Sequence, residues 1–185
     1  MKILIAEDES IIRLGLKSML EGMGHTVWTA VNGREALNMV RNDPFDLAIL
    51  DIKMPYTDGI QAAKTICKSF PLPILMLTAH SDDDLIEKAT DLPIQGYLIK
   101  PVKREELHAA ITIAHKRFSD MSQLVEENIK LNKTLEQRKL IDQAKGKLMK
   151  SGLDEEAAYK WLQKHARDNR QSIYKSAQIV LKWAG

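Results

Sequence analysis

"DLAILDIKMP", residues 46–55, holds four consecutive apolar residues between two aspartates, and Pro55 closes the segment. A run this short and this continuously apolar reads as a strand buried on both faces. Four more segments have the same character: "ILIA" (3–6), "TVWTA" (26–30), "PILMLT" (73–78) and "GYLI" (96–99). Between them lie stretches of helical spacing, such as Ile11, Leu14, Leu16, Met19 and Leu20, or Ala36, Leu37 and Val40. Ser10 is placed to cap the first of these helices, and Asn32-Gly33 marks the turn into the second. Strand and helix alternating five times predicts a doubly wound α/β domain, an open five-stranded parallel sheet over residues 1–118.

The net charge of +2 over 185 residues conceals an asymmetry, −3 for residues 1–120 and +5 for residues 121–185. An acidic half followed by a basic one suggests a regulatory part joined to a part that meets a polyanion. The single cysteine, Cys67, excludes an internal disulfide and a cysteine-rich metal site, and its helical context makes it a small packing residue. The start "MKILIAEDES" reaches acidic residues too soon for a signal-peptide core. No run approaches the ~20 apolar residues that span a bilayer, so the expectation is a cytoplasmic protein with no membrane partner.

In an open α/β sheet, ligands bind outside the carboxyl ends of the strands. Glu7 and Asp8 follow the first strand, Asp51 ends the third, Thr78 ends the fourth, and Lys100 follows the fifth. Three carboxylates at one rim repel one another unless a cation joins them, and a hard divalent ion, Mg2+, suits oxygen ligands. Lysine and a hydroxyl at the same rim complete a phosphoryl-binding set, and an aspartate there can accept the phosphoryl group. Asp51, at the tip of the central strand, is the candidate acceptor.

These residues sit in "LIAEDE" (4–9), "DLAILDIKMPYTDG" (46–59), "PILMLTAH" (73–80) and "GYLIKPV" (96–102), which together resemble the receiver domains of two-component response regulators. The resemblance covers residues 1–120 and implies the flavodoxin-like order of such domains. It implies Asp51 as phosphoacceptor for a sensor histidine kinase, with Glu7, Asp8, Asp51 and the Lys53 backbone carbonyl holding Mg2+. It implies Thr78 and Tyr97 as a switch pair and a cis bond at Lys100-Pro101. Such a domain takes up a phosphoryl group by self-catalysed transfer and is not an enzyme in its own right. Two positions depart from the family pattern: Tyr56 stands where glycine is frequent, and His80 follows "TA".

From Glu105 no proline or glycine interrupts the chain until Gly146, so the last helix of the sheet domain is expected to continue beyond it. Met121, Leu124, Asn128, Leu131 and Leu135 recur at 3, 4, 3, 4, a short heptad seam. Its polar Asn128 at an a-type position favours a parallel dimer. Residues 119–135 are therefore read as a coiled-coil linker. Residues 136–185 read as an all-α three-helix bundle. The first helix ends at Ser151-Gly152, Asp154 caps the second, and Gln171 or Ser172 starts the third. Tyr159, Leu162 and Ala166 form one stripe at helical spacing; Ile173, Ala177, Val180, Leu181 and Ala184 form another. Met149, Trp161 and Trp183 read as packing residues.

"QAKGKLM" (143–149), "EEAAYKWLQKHA" (155–166) and "IYKSAQIV" (173–180) resemble the ANTAR domain, an RNA-binding output module of transcription antitermination regulators. That resemblance implies RNA stem-loops as partners, with RNA polymerase as a further one and a homodimer when phosphorylated. Gly146 costs a helix roughly 1 kcal/mol against alanine, which close approach of a neighbouring helix or of an RNA backbone would explain. Lys145, Lys147, Arg167, Arg170 and Lys175 are the expected phosphate contacts and Tyr174 a stacking ring, beside Gly146. Two readings compete with it: a bundle whose output is protein contact alone, and a response regulator that binds DNA to control initiation. The DNA reading is weakened by a third helix, "QSIYKSAQIVLKWAG", that is mainly apolar.

Overall fold

The computed structural model describes residues 1–79 and 92–182. His80, Trp183 and Ala184 lie outside the described residues. Chain contacts divide the molecule into two compact units, Met1–Ser122 and Gln123–Gly185.

In the first unit, β1 (Lys2–Ala6), β2 (Thr26–Ala30), β3 (Leu47–Asp51), β4 (Ile74–Thr78) and β5 (Gly96–Ile99) form one parallel sheet in the order β2-β1-β3-β4-β5. The helices are α1 (Ser10–Glu21), α2 (Gly33–Asn42), α3 (Gly59–Ser69) and the start of α4 (Arg104–Lys150). Alternate residues of each strand point to opposite faces. Ile3, Ile5, Ile49, Leu75 and Leu77 therefore pack with Leu16 and Leu20 of α1 and Leu107, Ile111 and Ala114 of α4. Leu4, Ala6, Leu50 and Met76 pack with Ala36 and Val40 of α2 and Ala62, Ala63 and Ile66 of α3. Cys67 is partly buried against that second cluster.

Local chemistry sets most helix starts. Asn32 Oδ1 accepts the Glu35 N–H at 2.9 Å while Glu35 Oε2 accepts the Val31 N–H at 2.8 Å, a reciprocal cap. Asp58 Oδ1 accepts the Gln61 N–H at 2.7 Å. The expected Ser10 cap is not formed: Ser10 is already helical, Glu9 holds the cap position, and no side chain bonds there. The turn before α1 is committed instead to presenting carboxylates.

In the second unit, the end of α4 packs with α5 (Glu155–Asp168) and α6 (Ile173–Lys182). The break at Ser151-Gly152 is as expected, with Gly152 at φ +99°, and Asp154 Oδ1 accepts the Ala157 N–H at 2.7 Å. Ser172 Oγ accepts the Lys175 N–H at 3.2 Å and so opens α6. The core is Ala144, Leu148, Ala158, Leu162, Ala177 and Val180. Alanines at the contacts let the helix axes approach closely. The buried Ser176 hydroxyl lies 3.1 Å from both His165 Nδ1 and Gln171 Nε2, so no hydroxyl is stranded in that core.

Two packing expectations fail here. Tyr159 is 41% exposed, and Met149 is exposed as well. The stripe that enters the core runs through Ala158, Leu162 and Ala166, because a core lined by alanines has no room for a tyrosine ring. Trp161 is half-buried and stacks on His165, with ring centroids 4.9 Å apart. No helix among the described residues is long and apolar enough to cross a membrane.

Candidate functional site

The strand order fixes where a site can form. β1 and β3 are neighbours, and the chain leaves their carboxyl ends toward helices on opposite faces of the sheet, which opens a crevice between them. Glu7 and Asp8 leave β1 at that crevice, and Asp51 is the last residue of β3. Carboxylate oxygens of Glu7, Asp8 and Asp51 all lie within 4.8 Å of one another. Gly59 makes this possible, since a Cβ there would overlap the Asp51 carbonyl. The Gly59 N–H instead donates to the Ile52 carbonyl at 3.0 Å and draws α3 against the end of β3.

Burial and charge make the cluster tense. Glu7 is 0% and Asp51 4% exposed, whereas Asp8 is exposed. Lys100, next to the cis Lys100-Pro101 bond, places Nζ 2.7 Å from Glu7 Oε2 and 2.9 Å from Asp51 Oδ1. Among the described residues, Lys100 is the one cation against Glu7 Oε2, which takes no other donor. Burial raises the Glu7 carboxyl above its ordinary value; Lys100 opposes the shift and the like charge of Asp51 adds to it. Burial raises Asp51 too, against Lys100 and with the help of Asp8. For Lys100, burial pulls downward, but its bonds and attraction to the two carboxylates outweigh that, so the ammonium is held above its ordinary value. One ammonium against three carboxylates leaves two negative charges, all on hard oxygens. A divalent cation with oxygen ligands fits that set.

Thr78 ends β4, buried, its hydroxyl donating to the Ala79 carbonyl at 3.0 Å. Tyr97 of β5 stands opposite Met76 of β4, half-buried, and burial raises its phenol. Lys53 lies just past Asp51 with its side chain exposed. Every residue expected at the rim is thus in the first unit, with Glu7, Asp8, Asp51 and Lys100 in one cluster. Arg13, whose Nη1 donates to the Glu7 and Asp8 carbonyls, and Gly59, against the Asp51 carbonyl, also lie at this site, and neither is singled out by the sequence.

In the second unit the basic residues are dispersed. Arg167, Arg170 and Lys175 are exposed. Lys145 is not a free hand: its side chain is 19% exposed, with Nζ 2.9 Å from Asp142 Oδ1 and 3.1 Å from Glu155 Oε1. Those two partners, Asp142 before Glu155, hold its pKa above the ordinary value. Lys147 Nζ donates to the Leu181 carbonyl at 3.4 Å. Tyr174 is half-buried and its hydroxyl accepts from Gln178 Nε2 at 2.8 Å. Among the described residues, a Cβ at Gly146 would meet nothing within 4 Å, so no described neighbouring helix explains that glycine. Along α4, Met121, Leu124, Asn128, Leu131 and Leu135 are all exposed.

Comparison with known proteins follows this division. Residues 3–112 match the response regulator receiver domain, and residues 130–181 match the ANTAR domain. The transcriptional regulatory protein PdtaR of Mycobacterium tuberculosis is 41% identical over 186 residues, covering 100% of this chain and 91% of that protein. The transcriptional regulatory protein AfsQ1 of Streptomyces coelicolor is 34% identical over 62% of this chain and 51% of its own length. Among crystal structures, a response regulator receiver domain protein from Clostridium thermocellum is 34% identical. It superposes with a TM-score of 0.61 over 65% of this chain and 98% of that one. The chemotaxis protein CheY4 of Vibrio cholerae is 32% identical, with a TM-score of 0.57 over 61% and 97%.

Proposed function

Because this chain belongs to the response-regulator family, with a receiver domain followed by an ANTAR domain, we propose that it is a phosphorylation-gated regulator of transcription. It binds RNA hairpins in nascent leader transcripts and promotes antitermination. The observation that carries the proposal is the buried Glu7–Lys100–Asp51 cluster, with Asp8 beside it, in the same chain as a basic three-helix unit.

The donor is the phosphohistidine of a sensor kinase. An Asp51 oxygen attacks phosphorus, the O–P bond forming as the P–N bond to the donor histidine breaks. Lys100 neutralises charge on the arriving phosphoryl oxygens. Glu7, Asp8, Asp51 and the Lys53 carbonyl would hold Mg2+, which supplies further charge neutralisation there. The Thr78 hydroxyl gives up the Ala79 carbonyl and donates to a phosphoryl oxygen, and the Tyr97 ring follows it inward. That changes the exposed face of β5 and α4 bearing Ile99 and Ile113. The apolar seam of Met121, Leu124, Asn128, Leu131 and Leu135 then pairs with that of a second copy. A dimer offers two bundles to paired hairpins, so the second contact forms at high effective concentration. Arg167, Arg170 and Lys175 meet phosphates, and RNA held in this way is unavailable to the terminator. The setting of such a regulator is the cytoplasm.

Labelling with radioactive acetyl phosphate in Mg2+ should modify the wild-type protein and leave Asp51→Ala unlabelled. Sedimentation should then show an increase in mass on phosphorylation. Filter binding of a leader hairpin and of duplex DNA across a salt series tests the output. Preference for duplex would replace the RNA reading with a DNA-binding one, and retention of neither would leave output by protein contact.

A further inference from the structure

The geometry points to Arg13 as a positioning residue for the cation site, a role that rests on the acceptor chemistry proposed above. Two of the three clustered carboxylates sit on the turn between β1 and α1. Glu7 and Asp8 on that turn are aimed very differently. Glu7 is fully buried and fixed by Lys100, by its own N–H on the Ala30 carbonyl at 3.1 Å, and by the Glu9 N–H donated to its Oε1 at 3.1 Å. Asp8 has none of these supports: it is exposed, and among the described residues its carboxylate accepts no hydrogen bond.

Its direction is therefore set by its backbone, and Arg13 holds that backbone. Arg13 Nη1 donates to the Glu7 carbonyl at 2.7 Å and to the Asp8 carbonyl at 3.0 Å. The Arg13 N–H donates to the Glu9 carbonyl at 2.9 Å, which anchors the arginine itself in the first turn of α1. Two consecutive carbonyls gathered on one nitrogen fix the orientation of two consecutive peptide planes. The Asp8 Cα–Cβ bond projects from between them. Helix capping cannot do this work, because Glu9 offers no side-chain bond at the cap position of α1. Arg13 thus acts through Asp8 without touching the cation. A lysine there would keep the charge and could reach both carbonyls from its one nitrogen, but its freely rotating ammonium fixes their directions less firmly than the planar Arg13 Nη1.

The test uses the full chain and Mg2+ alone. Calorimetric titration, together with the Mg2+-induced rise in melting temperature, gives the affinity of wild type, Arg13→Ala and Arg13→Lys. Residues that orient metal ligands typically change metal affinity about 10–100-fold when removed. The expected result is at least about tenfold weaker Mg2+ binding in Arg13→Ala and an intermediate value in Arg13→Lys. Acetyl phosphate labelling should return to the wild-type level in both once Mg2+ is raised to saturation. A residue needed only for folding would lower melting temperature and labelling alike, with no rescue by Mg2+. Unchanged Mg2+ affinity in both variants, or a labelling defect that saturating Mg2+ does not repair, overturns the assignment. Wild-type protein that bound no Mg2+ would overturn the acceptor reading with it, so the two failures are distinguishable.

Discussion

Replacing Lys100 by methionine keeps most of the aliphatic stem and removes one positive charge from between two buried carboxylates. Glu7 and Asp51 then face each other with their oxygens within 4.8 Å. At an effective dielectric of about 20, two unit charges that close repel by at least about 3 kcal/mol. The pair can escape by binding a proton, which costs a carboxyl of ordinary pKa about 4 kcal/mol at pH 7 and only about 1.4 kcal/mol at pH 5. Repulsion is the cheaper burden at neutral pH and protonation the cheaper one in mild acid. Lys100→Met should therefore destabilise the metal-free receiver by about 3 kcal/mol at pH 7 and about 1.4 kcal/mol at pH 5. For a unit of this size the former is a drop of roughly 10 °C in melting temperature. Scanning calorimetry with chelator at both pH values measures it. Added Mg2+ should recover more of the loss in the variant than it adds to the wild type. An equal loss at the two pH values would refute the reasoning, since it would mean that lost packing, not uncompensated charge, carries the effect.

Glu7 and Asp51 both have carboxyls raised by burial, so protons should compete with Mg2+ before exposed acids titrate. Calorimetric Mg2+ affinity should fall as pH drops through the range just above ordinary carboxylate values. The sign reverses for the metal-free fold: a carboxyl that binds protons more readily folded than unfolded stabilises on acidification and destabilises as pH rises through its folded pKa. Tyr56 sits at φ +68° with 85% of its surface exposed. Tyr56→Gly should thus raise stability by about 1 kcal/mol in urea denaturation, the left-handed strain exceeding the entropy glycine adds to the unfolded chain. Asp142→Asn with Glu155→Gln releases Lys145 from both partners. Hairpin binding in a filter assay should tighten severalfold, and weakened binding would mean that those acids position the lysine rather than restrain it.

The receiver half was legible because its signals are local. Thr26–Ala30 and Gly96–Ile99 were read to the residue from apolar runs alone, and the rim acids, Thr78 and Lys100 followed from their places at strand ends. Features that depend on three dimensions escaped. The contact of Arg13 with two carbonyls five and six residues back has no sequence signature beyond a cation on an amphipathic helix. The overlap that forbids a side chain at Gly59 exists only once α3 docks on β3. In the basic half, Lys145 looked available because one of its partners, Glu155, lies ten residues on and meets it only across the turn between α4 and α5. Tyr159 looked like core because helical period alone cannot decide which edge of a stripe enters a core. The alanines on the facing helices decide it.

Gly146 shows what an unexplained residue can still say. A glycine inside a helix costs roughly 1 kcal/mol against alanine, through backbone entropy in the unfolded state. Where packing demands glycine, an added Cβ would strike something, as it does at Gly59; at Gly146 it strikes nothing within 4 Å. Among the described residues, then, no packing contact offsets the cost. Under the function proposed above, the sugar-phosphate backbone of an RNA hairpin would come against the helix at this point and leave no room for a methyl group. Gly146→Ala should then separate two quantities that ordinarily move together. Thermal stability of the second unit should rise by about 1 kcal/mol, while hairpin affinity falls. Unaltered hairpin affinity in a stabilised variant would remove Gly146 from the RNA face and confine that face to the exposed cations Arg167, Arg170 and Lys175.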